Sequence, residues 1–183
     1  VAERTPLDDF ERAVLPHLNA AYNLARWLTR NDADAEDVVQ EACLRAFKYF
    51  GGFTGDSGKS WLLSIVRHTC FTWLAKNRPA ELAPLDDAVL DDVVSAEAGP
   101  AATPESSLQV ADERTLLEEL LAKLPAEFRE VVVLRELEEL SYREIAEVTA
   151  LPIGTVMSRL ARARERLRAA WRQHAANEGR HGL

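Results

Sequence analysis

The 183-residue sequence contains no apolar run of eighteen residues and no basic N-terminal stretch leading into an apolar segment and a cleavage site. Neither membrane insertion nor secretion is supported, and a cytoplasmic protein is expected. Cysteine is scarce: Cys43 and Cys70 fall in separate helical stretches and read as buried thiols rather than a disulfide framework. His17, His68, His174 and His181 have no metal-ligand spacing among themselves or with the cysteines, and His68 and Cys70, two apart in one helix, would point to different sides. An H-E-x-x-H motif, a phosphate loop and a nucleophile with its base are all missing, which leaves hydrolase and metalloenzyme readings without residues. No catalytic, cofactor-binding or metal-binding residue is assigned.

Bases are missing from one segment altogether. Residues 79–112 hold eight acids and no base, whereas 1–78 hold ten of each and 113–183 twelve of each, so the net charge of −8 sits in the middle of the chain. That segment also carries Pro79, Pro84, Pro100 and Pro104 with little periodicity, which disfavours a continuous helix. It reads as a linker over 79–111; a turn or two of helix from Leu82 to Val94 stands beside a fully irregular path. Both flanks are helical in pattern. The predicted class is all-α, with small helical domains at 1–78 and 112–175 joined by a flexible acidic linker, and a tail at 176–183.

In the first domain Phe10, Val14, Leu18, Ala21, Ala25 and Leu28 form one stripe, predicting a long helix over 8–29 that Pro16 kinks or delays. Asp34-Ala35-Glu36-Asp37 supplies the acidic first turn of a second helix running to about Phe50, with Asp37, Gln40 and Glu41 outward or flanking. Gly51, Gly52, Gly55 and Gly58 predict an irregular loop around Phe53 and Thr54. A third helix follows to Asn77, in which Trp61 and Phe71 read as core and Arg67, Lys76 and Arg78 as positive charge.

In the second domain Leu116, Leu117, Leu120, Leu121 and Leu124 make an apolar stripe, Pro125 opens another helix, and Phe128, Val131, Val132 and Leu137 continue the core. Ser141 and Glu144 form a capping box, a turn follows at Ala150-Leu151, and Pro152 suits the first turn of the next helix. Two short helices at this spacing write a helix-turn-helix. Val156, Leu160, Ala163 and Leu167 form the buried stripe of the second, and Thr155, Ser158, Arg159, Arg162 and Arg166 are expected on the opposite side. Residues 152–172 hold six arginines against Glu165 alone, so this helix is locally +5 and points to DNA as partner despite the acidic total.

Three motifs in order resemble the group IV, or extracytoplasmic-function (ECF), sigma-70 factors of RNA polymerase. Asp34-Ala35-Glu36-Asp37-Val38-Val39-Gln40-Glu41 resembles their polymerase-binding helix. Gly52-Phe53-Thr54-Gly55 through Trp61-Leu62-Leu63-Ser64-Ile65-Val66-Arg67 resembles the promoter-melting region, and Leu124-Pro125-Ala126-Glu127-Phe128-Arg129-Glu130-Val131 with the helix-turn-helix resembles region four. The resemblance implies a transcription initiation factor whose first domain docks on the beta-prime coiled coil of core polymerase through Asp37, Gln40 and Glu41. It implies minus-ten DNA contacts from Phe53, Thr54, Asp56, Ser57 and Lys59 near an extruded base, with Arg67, Thr72 and Lys76 along the adjacent strand. Region four would touch the beta flap and read the minus-thirty-five element with Thr155, Ser158, Arg159 and Arg162, with Arg166 and Arg168 on phosphates farther along. An anti-sigma factor is the regulatory partner implied. The acidic linker is then either a strand occupying a nucleic-acid channel or a solvated spacer.

Two departures from the family stand out. Met157 occupies a place where many relatives have lysine or arginine, and the basic cluster after the melting helix is thinned to Lys76, Asn77 and Arg78. The competing reading is a two-domain helix-turn-helix regulator that is not a polymerase subunit.

Overall fold

The computed structural model describes residues 5–55, 57–82 and 107–181, so Asp56 and the segment 83–106 of the expected linker lie outside the described residues. Eight α-helices are formed there: α1 (Pro6–Val14), α2 (Leu18–Thr29), α3 (Asp32–Tyr49), α4 (Gly58–Asn77), α5 (Ser107–Lys123), α6 (Ala126–Val132), α7 (Tyr142–Thr149) and α8 (Ile153–His181). No strand occurs among the described residues.

Side chains that satisfy free amides set several of the helix starts. Thr5 and Asp8 form a reciprocal capping box on α1, Asn31 accepts from the Asp34 amide on α3, and Ser57 accepts from the Ser60 amide on α4. The stripe expected as one helix over 8–29 is two helices: a 3₁₀ turn at Leu15–His17 separates α1 from α2, because Pro16 brings no amide hydrogen to an α-helical ladder. The glycine-rich loop is likewise more ordered than its composition predicts. Phe50–Gly52 is a 3₁₀ turn and Gly58 already belongs to α4. No described glycine has positive φ; Gly58 is needed for closeness, since a Cβ there would meet the Ala13 carbonyl oxygen at 2.3 Å.

In the N-terminal half α2, α3 and α4 pack pairwise, with α1 across α4. Leu24, Leu28, Leu62, Leu63, Val66 and Leu74 are fully buried between them. In the C-terminal half α6 and α7 pack on α8 around Val131, Val133, Leu134, Ile145, Val156 and Leu160. Leu137, expected in this core, is 45 % exposed: it ends a π turn at Val133–Leu137 that rotates it out of the α-helical register. The proposed domain limits also shift in character. Pro79–Leu82 is an ordered 3₁₀ turn packed on α4, α5 begins at Ser107 inside the stretch read as linker, and α8 carries helix through most of the expected tail.

The two halves touch. Helix α2 packs on α6 and α4 packs on α7, so the buried apolar residues form one continuous cluster.

Candidate nucleic-acid interface

The helix-turn-helix is α7, the turn at Ala150–Pro152, and α8. Ser141 accepts from the Glu144 amide at 3.2 Å while the Glu144 carboxylate accepts from the Ser141 amide at 2.8 Å and its hydroxyl at 2.7 Å. Those bonds hold the Glu144 carboxyl below its ordinary range. Ala150 caps α7 in the left-handed region at φ 56°, which turns the chain sharply enough for Val156 and Leu160 to pack under α7.

Along α8 the sequence-predicted readers separate into two groups. Ser158, Arg162 and Arg168 are exposed and Thr155 is half-buried, with Ile153 and Met157 also exposed at the helix start. Arg159 and Arg166 turn inward instead. Arg159 pairs with Glu127 at 2.8 Å and lies 3.6 Å from the Glu130 carboxylate, and the Arg166 guanidinium sits 4.9 Å over the Phe128 ring. Helix geometry explains the correction: Arg159 is three residues after Val156 and four before Ala163, which places it beside the buried stripe and not opposite it.

The minus-ten candidates cluster at the start of α4. Phe53 packs against Trp61 at 4.8 Å and Phe50 at 5.8 Å between ring centroids, and Thr54 beside it is exposed. Phe53 and Trp61 border a recess of about 660 Å³ lined also by Gly52, Ser57, Ser60 and Ser64 and closed on one side by Arg143, Glu144 and Glu147 of α7. Ser57 is occupied as the α4 N-cap. Asp56 lies outside the described residues. Thr72 and Lys76 are exposed farther along α4, Thr72 donating to the His68 carbonyl at 2.9 Å.

Lys59 and Arg67 are engaged by the other half of the molecule. The Lys59 ammonium donates to the Glu138 carbonyl at 2.7 Å and lies 3.4 Å from its carboxylate. Arg67 donates both Nε and Nη2 to Glu130, at 2.6 and 3.0 Å, and stacks 4.4 Å over Phe71. Glu130 is fully buried, and burial pushes its carboxyl up against the opposing pull of Arg67 and Arg159. Beside it Arg129, 1 % exposed, donates to the Trp27 carbonyl and to Glu81, each at 3.1 Å. Glu130, Glu138 and Arg129 went unrecognised from sequence. The available signal was a run from Phe128 to Leu134 with polar residues on what would otherwise be its open side.

Asp37, Gln40 and Glu41 are exposed on α3, where Glu41 pairs with Arg45 at 2.8 Å. Leu44, Phe47 and Tyr49 continue that surface, 69 %, 56 % and 61 % exposed. An open groove between Glu41, Leu44 and Lys48 of α3 and Ile65 and His68 of α4 runs alongside.

Residues 13–79 match the sigma-70 region 2 family and residues 114–167 match sigma-70 region 4. The chain is 34 % identical over 149 residues to the ECF RNA polymerase sigma-E factor of Haemophilus influenzae, covering 78 % of this chain and 76 % of that one. It is 32 % identical over 163 residues to the RNA polymerase sigma-H factor of Pseudomonas aeruginosa, covering 85 % and 82 %. Among solved structures it resembles the sigma factor RpoE of Bartonella quintana in complex with the anti-sigma factor NepR, at TM-score 0.65 and 28 % identity over 90 % of this chain and 97 % of that one. It also resembles CnrH in complex with the cytosolic domain of CnrY, at TM-score 0.61 and 25 % identity over 90 % and 88 %.

Proposed function

The chain belongs to the ECF class of sigma-70 RNA polymerase sigma factors, and from that membership we propose how its surfaces divide the work. A sigma factor of this class is a noncatalytic subunit that directs core polymerase to promoters and starts transcription there; phosphodiester synthesis stays with the polymerase. We assign core-polymerase docking to α3, through Asp37, Gln40 and Glu41 with Leu44 and Phe47 beside them. The observation that carries this is an apolar strip left in water next to carboxylates, a combination that a helix serving only to pack its own domain does not need.

The recess at Phe53 and Trp61 is the candidate site for an unpaired minus-ten base, with Thr54 at its mouth and Lys59, Arg67, Thr72 and Lys76 toward the strand; Asp56 remains a candidate contact from the sequence alone. Opening a base pair costs a few kcal/mol, which stacking on aromatic rings offsets. The outer face of α8, through Thr155, Ser158 and Arg162, is the candidate minus-thirty-five reader, with Arg168 toward phosphate and Arg159 and Arg166 available once they leave Glu127, Glu130 and Phe128. Met157 brings an apolar contact where a donor would otherwise meet a base edge or phosphate.

The likeness to a sigma factor solved in complex with the anti-sigma factor NepR supports an anti-sigma partner for this chain as well, and the reading places its work in the cytoplasm, where polymerase and promoters meet. The experiment is a binding titration of the charge-reversed Asp37→Lys/Glu41→Lys variant against core polymerase. The reading expects binding to weaken with helicity and thermal unfolding unchanged. Undiminished binding by the folded variant would remove α3 from the interface.

A further inference from the structure

The outer side of α8 changes character along its length. From Pro152 to Ala161 the exposed residues are Pro152, Ile153, Gly154, Met157, Ser158 and Ala161, none of them charged. The Ser158 hydroxyl donates to the Thr155 carbonyl at 3.0 Å, so toward a ligand it offers lone pairs and no proton. Arg159 is paired with Glu127, and exposed guanidinium groups begin only at Arg162. Within the uncharged stretch Ile153 and Met157 are 46 % and 51 % exposed. Four residues apart, they stand one above the other on a single flank of the helix. At about 100° per residue, Thr155 and Arg162 fall on the opposite flank. The next cation along the Met157 flank is Arg164, which pairs with Glu136. Gly154, where a Cβ would meet nothing within 4 Å, fills the centre of the outer face together with Ser158 and Ala161, all small. Met157 therefore projects past its neighbours, and the helix can approach a ligand closely with that thioether leading.

The second helix of a helix-turn-helix meets base edges in the major groove with its N-terminal residues. Those edges are read through hydrogen-bond donors and acceptors, and the 5-methyl of thymine is their one apolar substituent. A thioether beside isoleucine has no proton to give to guanine or phosphate, but it packs on a methyl group. We propose that Met157, with Ile153 beside it, selects thymine at one minus-thirty-five position through its 5-methyl group, while Arg162 on the other flank carries the hydrogen-bond readout. The inference rests on the assignment of α8 to that element made above. Charge argues for DNA as the occupant of this apolar strip: residues 152–172 hold six arginines against Glu165 alone, so the strip lies at the start of a helix that attracts a polyanion. Specificity at this position is then a matter of shape and desolvation, and a single methyl group decides it.

The test uses holoenzyme assembled from core RNA polymerase and the full-length chain. Duplexes that it selects from a random-sequence pool are resynthesised with deoxyuridine in place of each upstream thymine in turn, which removes the methyl and leaves the base pairing unchanged. At one upstream position uracil should weaken wild-type binding about fourfold, as loss of one buried methyl group does. Holoenzymes carrying Met157→Ala or Met157→Lys should bind the thymine and uracil duplexes equally. Met157 is half exposed, so neither variant empties the core, and thermal unfolding checks that both are folded. A thymine preference that persists undiminished in the folded Met157 variants would overturn the proposal. So would a wild-type upstream element in which no uracil substitution matters, since the apolar strip would then belong to a protein contact. A wild-type holoenzyme that selects no upstream element at all would instead remove the minus-thirty-five assignment of α8, and this inference with it.

Discussion

Gly58 and Ala150 show how single backbone positions set this architecture. At Gly58 the first turn of α4 runs so close to Ala13 that any Cβ would collide with its carbonyl oxygen, a backbone atom that cannot swing aside. Gly58→Ala should cost roughly 1–3 kcal/mol as overpacking, measured by urea unfolding, and should shift the loop that carries Phe53 and Thr54. Ala150 poses the opposite case, an L-residue in the left-handed region between the two helices of the DNA-reading unit. Ala150→Gly relieves that conformation and should stabilise the protein by up to about 1 kcal/mol, less the greater entropy of glycine in the unfolded chain, read as a higher thermal midpoint. Arg162 carries the base-reading prediction among the arginines. Its alanine variant should lose roughly 1–3 kcal/mol of discrimination between matched and base-substituted minus-thirty-five duplexes, whereas Arg168→Ala should weaken all sequences alike.

Among elements, α7 depends most visibly on one local device, the reciprocal Ser141–Glu144 capping box. Replacing Ser141 by alanine should cost about 1 kcal/mol, since it removes the acceptor of the Glu144 amide. The folded Glu144 carboxyl titrates below its ordinary value of 4.5, so its stabilisation is complete above that value and is lost as pH falls through the lowered one. Urea unfolding of wild type and Ser141→Ala at neutral and acid pH should show the gap between them closing on the acid side. These caps were legible in advance because they are written within four residues: Ser141 with Glu144 and Pro152 before the last helix were assigned from sequence alone. The facing of Arg159 and Arg166 was not, although the interval rule that identified Val156, Leu160 and Ala163 as buried also puts Arg159 beside them. Leu137 went astray for another reason. A π turn changes the register, and nothing in the composition of Val133–Leu137 announces one.

For the molecule as a whole, the helices of each half could be read from their own periodicity. The contact between the halves could not be read. Beside the shared apolar cluster it uses polar groups distant in the chain, such as Arg67 with Glu130 and Asn23 with Glu138, and a charged residue in a helix ordinarily reads as solvated surface. The most direct test of the account is reconstituted transcription: core RNA polymerase with and without the purified chain, on a genomic promoter library, with transcript starts mapped by sequencing. The account predicts chain-dependent starts sharing upstream minus-ten and minus-thirty-five elements, reduced for the Asp37→Lys/Glu41→Lys variant and altered in their minus-ten preference when residues 53–59 are exchanged for those of a related sigma factor. The same starts at the same frequency from core polymerase alone, or no promoter-specific starts with the folded chain present, would contradict it.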